Sequence, residues 1–216
     1  MSYRYNMDSI SVQNFLDSCQ TGDLLLYTST HWYSRAIEWA SNSKYSHISF
    51  ILRDPTYIDP SLKGLYILES SKEQIPDAVT GKMVYGVQVV PLQPILNQYK
   101  NTYCGYLYYR KLSCQKDAEF YNKILTSFNK VEGKPYDLNP IDWIKADIGS
   151  QEGNTQKTNT FWCSALIGYL YSKLGFLDEN IPWTLLAPRR FSYYENERLT
   201  YYNCNLDPEK YIVFNK

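Results

Sequence analysis

The sequence predicts an α+β fold, in which an antiparallel sheet packs against a helix that carries a cysteine. Three observations point there. Residues 45–52 and 64–71 are short strand-like runs, separated by a loop punctuated with Pro55 and Pro60. Residues 161–174 place Cys163, Leu166, Ile167, Leu170 and Leu174 on one helical stripe, closed by Gly175. Strand and helix signals follow each other irregularly, without the strict alternation of a parallel βαβ sheet.

Taken in order, residues 8–19 read as a short helix ended by "TGD", after which "LLLYTS" reads as a buried strand. "HWYSRAIEWASNS" spaces Trp32, Ala36, Trp39 and Ala40 as a helix, and "YSHISFIL" follows as a strand. In that strand Ile48, Phe50 and Leu52 share one face, and His47, Ser49 and Ile51 the other. "GLYILESS", "YGVQVVPL" and "YCGYLYYRKL" are further strands, with helical segments near 93–100 and 115–130. "EGKPYDLNP" reads as turn and loop, and 149–160 has the composition of a mobile loop.

The 216 residues suffice for one buried core, so a single domain over 1–216 is expected. Lys plus Arg equals Asp plus Glu at 22 each, which gives no electrostatic case for nucleic acid. Tyrosine is abundant, at 22 residues, and suits core, groove lining or interface equally. Five widely spaced cysteines include no CxxC pair, so a zinc site from paired knuckles is not expected, and a thiol mechanism requires no metal or organic cofactor. The N-terminal "MSYRYNMDSISVQNFL" has no signal-like apolar core, and "FWCSALIGYLY" is too short to cross a bilayer. The expectation is a soluble intracellular protein without a transmembrane segment, cytoplasmic or, if viral, virion-associated. Oligomeric state is not legible.

The chemistry concentrates on three residues. A hairpin register that pairs Leu52 with Gly64 also pairs His47 with Glu69, on one sheet face and within reach. A carboxylate beside an imidazole fixes its tautomer and stabilises the imidazolium. A surface His–Glu pair without a role fits the same pattern. Thr160 is a suitable N-cap, which would make Cys163 the third residue of its helix, where unpaired amides and the helix dipole favour a thiolate. A small buried core cysteine is the alternative reading. Cys19, Cys104, Cys114 and Cys204 lack such a setting and read as structural.

Together "GDLLLY" at 22–27, "SRAIEWASNSKYSHISFIL" at 34–52, "YILESS" at 66–71, "GKPYDLN" at 133–139, "FWCSALI" at 161–167 and "LLAPRRF" at 185–191 form an ordered set. That set resembles the circularly permuted branch of the NlpC-type papain-like cysteine hydrolase superfamily. Its members include YiiX-like bacterial proteins and poxvirus relatives, with the lecithin retinol acyltransferase group as distant cousins. The resemblance implies a permuted papain-like fold with Cys163 as nucleophile, His47 as base and Glu69 as third polar residue. Ala165 and Ala187 depart from residues frequent in relatives, and the acyltransferase cysteine motif is not matched.

Asp23, Tyr45, Trp162, Tyr136 and Arg189 are candidate substrate-binding residues. Asp23 and Tyr136 equally suit turns, Arg189 a solvated pair, and His31 a structural role. The implied function is a thiol hydrolase acting on an amide or ester bond, of peptidase or amidase type. Two alternatives stand beside it: a lipid-directed thioesterase or acyltransferase using the same triad, and a non-catalytic binding or virion structural module. The expected substrate is accordingly a peptide, an amide or an acyl lipid.

Overall fold

The computed structural model describes residues 7–28, 44–72, 75–101, 105–137, 156, 158–195 and 198–214. The helix expected from "HWYSRAIEWASNS", His31, Cys104 and most of the 149–160 loop lie outside these residues. The elements in chain order begin with β1 (Ser9–Ser11), α1 (Val12–Ser18), β2 (Leu24–Tyr27), β3 (His47–Arg53) and β4 (Leu65–Ser71). Then come β5 (Gly86–Pro91), α2 (Leu92–Asn101), β6 (Leu107–Arg110), β7 (Leu112–Ser113) and α3 (Ala118–Val131). Helix α4 (Cys163–Lys173), 3-10 turns at Trp183–Leu185 and Pro188–Phe191, β8 (Asn205–Leu206) and β9 (Lys210–Val213) complete them.

The α+β class holds. A mixed sheet runs in the order β1-β9-β6-β2-β3-β4-β5, and β7 and β8 form a separate pair. The expected antiparallel sheet has one exception, because β1 and β9 run parallel. The expected helix over 8–19 also gives up its start: Ser9–Ser11 pairs with β9, and Ser11 then caps α1 by accepting from the Asn14 amide.

Alternation in the central strands produces two cores. Ile48, Phe50 and Leu52 of β3 face a large cluster that includes Leu166, Ile167 and Leu170 of α4. Ile51 and Ile67 face a smaller cluster with Phe15 of α1 and Ile95 and Leu96 of α2. Helix α4 is apolar on every side and buried from Cys163 to Ser172, as expected of a helix in the interior. Gly168 permits its close approach to the first 3-10 turn: a Cβ there would meet Trp183 Cβ at 2.8 Å.

The β3–β4 hairpin closes where the Asp54 amide donates to the Gly64 carbonyl (2.7 Å), and Asp54 Oδ1 accepts from the Gly64 amide. Leu52 therefore pairs with Tyr66 rather than with Gly64, a shift of two residues from the expected register. A two-residue shift preserves sheet faces, so His47 and Glu69 still share one.

Candidate active site

His47 opens β3 opposite Tyr27 of β2, whose ring stands edge-on to the imidazole at 5.0 Å. Its Nε2 lies 2.7 Å from Glu69 Oε2. Glu69 is almost fully buried and the imidazole partly exposed, at 21%. The carboxylate is held from behind: Ser71 Oγ donates to Glu69 Oε1 at 2.7 Å, and Gln88 Nε2 donates to Ser71 Oγ at 2.9 Å. Gln88 stands directly opposite Glu69 on β5. Sequence reasoning missed Ser71 and Gln88. Their signal was polar side chains inside otherwise apolar strands, "YILESS" and "GVQVVP".

Burial works against a charge on His47, but the charge of Cys163, a side-chain hydrogen bond to Cys163 and the contact with Glu69 outweigh it. The His47 pKa is raised well above its ordinary value. With Nε2 on Glu69, Nδ1 is the ring nitrogen left for a second partner. The structure thus brings Cys163, His47 and Glu69 together.

Helix α4 begins later than expected. Its N-cap is Trp162, Cys163 is the first helical residue, and Thr160 Oγ1 instead donates to Asp137 Oδ2 at 2.9 Å. The cause is a parallel bridge between Tyr136 and Phe161, which keeps the chain extended up to the cysteine. The Leu186 carbonyl then anchors the helix start, accepting from Ser164 Oγ (2.6 Å) and Trp162 Nε1 (3.3 Å). Cys163 is therefore held at the N-terminal end of a buried helix, among amides without intrahelical acceptors.

Tyr136 reaches the same site. Burial and then the charge of Cys163 push its phenol well above its ordinary pKa, with Glu69 contributing, so it remains protonated. Gly86 makes room for this segment, since a Cβ there would meet the Lys134 carbonyl oxygen at 2.0 Å. Tyr136 stacks on Tyr85, with ring centroids 5.5 Å apart.

Three other candidates remain, and two of them serve the scaffold. Asp23 is fully buried, accepting from Tyr109 Oη and the Gln20 and Leu112 amides; it braces β2, β6 and β7 and does not line a groove. Tyr45 is also fully buried, its hydroxyl donated to Glu209. Arg189 lies half-buried in the second 3-10 turn, where its charge acts on Glu195.

The fold has a solved counterpart. It is similar to the metalloprotein YiiX of Escherichia coli O157:H7, a DUF1105 protein, with a TM-score of 0.50 and 17% identity over 88% of this chain and 97% of that one. No family model and no curated protein matches the chain. At this identity the likeness to YiiX concerns the fold. Among the described residues, no group of three or more His, Cys, Asp or Glu side chains is arranged to hold a metal ion. No described helix is long and apolar enough to cross a membrane.

Proposed function

We propose that the chain is a cysteine hydrolase of permuted papain-like fold, cleaving an amide or ester bond through Cys163, His47 and Glu69. The observation that carries this reading is the convergence on His47. Its Nε2 is held 2.7 Å from a buried carboxylate, while Cys163 acts on the same ring. Nucleophile, base and orienting group in that relation are the components of acyl transfer.

In this mechanism the Cys163 thiolate adds to the substrate carbonyl, and the imidazolium of His47 donates its proton to the leaving amine or alkoxide. Water, deprotonated by the now neutral His47, then attacks the thioester, and Cys163 leaves as thiolate. Glu69 holds the ring and stabilises its charged form. The backbone N–H of Cys163 is one oxyanion donor and the Tyr136 hydroxyl the second.

A second reading, lipid-directed acyl transfer by the same three residues, is favoured by one feature. Met83 and Tyr85 are exposed, at 61% and 43%, and Tyr85 stacks on Tyr136 beside Cys163. The test is turnover of peptide amides, simple esters and acyl thioesters, with and without lipid vesicles, by wild type and Cys163→Ala. Loss of about 10³-fold or more in the variant is expected. Equal turnover by the two proteins would overturn the mechanism, and no turnover on any substrate would favour a binding module.

A further inference from the structure

Two cysteines outside this site lie one residue past the same end of the small β7–β8 ladder. Leu112 pairs with Leu206 and Ser113 with Asn205, so the next position opposes Cys114 to Cys204. The hydrogen-bond phase of the ladder is also fixed. The Asp207 amide donates to the Lys111 carbonyl (2.9 Å), whereas the Leu112 amide turns away to Asp23 Oδ1 (2.9 Å). Leu112 and Leu206 are therefore a non-hydrogen-bonded pair, and the same register carried past the end of the ladder gives Cys114 and Cys204 that phase. At such positions Cα atoms lie about 4.5 Å apart with side chains close together, within the roughly 4.4–6.8 Å that a disulfide spans.

Both cysteines are free thiols, partly buried, and both pack on the larger core beside Leu112 and Leu206. We infer that Cys114 and Cys204 form a redox site, closing to a cross-strand disulfide by exchange with a small-molecule disulfide such as oxidised glutathione.

The environment assigns an order to the exchange. Burial and then the charge of Cys114 raise the Cys204 thiol to about 11, with Arg110 partly offsetting them. Burial also raises Cys114, but the Lys116 ammonium partly offsets it. Cys114 therefore attacks first. Its thiolate takes one sulfur of the reagent and releases one small thiol. The Cys204 thiolate then attacks Cys114 Sγ, forming the protein disulfide and releasing the second thiol. The two protons of the protein thiols end on the two released thiols, and the reagent is reduced as the protein is oxidised.

Closure would pin β7 to the segment before β8. That segment is already tied to the end of α4, since the Tyr202 amide donates to the Phe176 carbonyl and Asn203 Nδ2 to the Gly175 carbonyl. The closed loop contains α3 and α4, and long loops constrain the unfolded chain most.

The test is incubation of the full chain with oxidised glutathione, then blocking of free thiols, peptide mass mapping and thermal melting. A linked Cys114–Cys204 peptide is expected, with a Tm higher by roughly 5–10 °C that reverts on reduction. Cys204→Ser should instead retain one glutathione on Cys114, with no rise in Tm. Its reduced form should melt close to reduced wild type, which separates loss of the disulfide from loss of folding. A folded wild type that keeps glutathione on Cys114, links either cysteine elsewhere, or leaves both thiols free would overturn the inference.

Discussion

His47 Nε2 lies 2.7 Å from Glu69 Oε2, although the two residues are not opposed in the β3–β4 ladder. That ladder, continued past Phe50–Leu68, sets Glu69 beside Ser49. The contact is diagonal, and a long side chain reaches across it. Glu69 is kept in that direction by Ser71 and Gln88 rather than by strand pairing with its partner.

Glu69→Gln follows from this geometry. Both the hydrogen bond and the charge of Glu69 raise the His47 pKa, so removing the charge lowers it. In the proposed mechanism the imidazolium is then lost at lower pH, and the alkaline limb of turnover is expected to move down. A fall of about 10²-fold in kcat near neutral pH is expected, read from full pH–rate profiles. An alkaline limb that stays in place would detach Glu69 from His47.

The same raised pKa has a consequence for stability. His47 contributes stability that is fully present below about pH 6.5, its unfolded value, and is lost as pH rises through the folded value. Wild type should therefore lose stability on going alkaline relative to His47→Ala, measured by urea midpoints at several pH values. Parallel pH dependences would refute the linkage. In the same variant, alkylation of Cys163 at pH 6 should slow by about tenfold or more, because the base proposed to activate it is gone. Peptide mass mapping reads that rate directly.

What was legible in the sequence is instructive at particular residues. Apolar alternation placed β3 and β4 and kept His47 and Glu69 on one face, even though the expected register was two residues off. The face depends only on parity, whereas the register depended on Asp54, a non-glycine residue with positive φ that extends the hairpin by one pair. Thr160 suits a helix cap by local propensity, but the bridge from Tyr136 to Phe161, residues distant in the chain, holds it outside the helix. Tyr45 and Asp23 illustrate the same point. Whether a polar group faces a groove or a buried partner depends on Glu209 and Tyr109, far along the sequence.

Glu209 anchors the chain after the second 3-10 turn. Fully buried, it accepts from Tyr45 Oη, Ser192 Oγ and the Tyr193 amide and lies 3.8 Å from the buried Arg110. Glu209→Ala leaves the Arg110 charge without its counter-ion and several donors without an acceptor. A loss of about 3–5 kcal/mol is expected in urea unfolding. An unchanged midpoint would mean that this cluster contributes nothing net to the fold.

Gly168→Ala tests how the cysteine helix is seated. Inside an exposed helix the change would stabilise by roughly 0.8–1.0 kcal/mol. Here the added methyl would meet Leu186 Cδ1 at 2.7 Å and Trp183 Cβ at 2.8 Å. Leu186 also accepts the hydrogen bonds from Ser164 and Trp162 that fix the helix start. The strain should therefore cost about 1–3 kcal/mol and displace Cys163 relative to His47. Slower Cys163 alkylation together with a lower urea midpoint is the expected outcome. A stabilised protein with unchanged alkylation would show that α4 can withdraw from Trp183 without moving its first residue, and that the Leu186 carbonyl is not what positions the thiol.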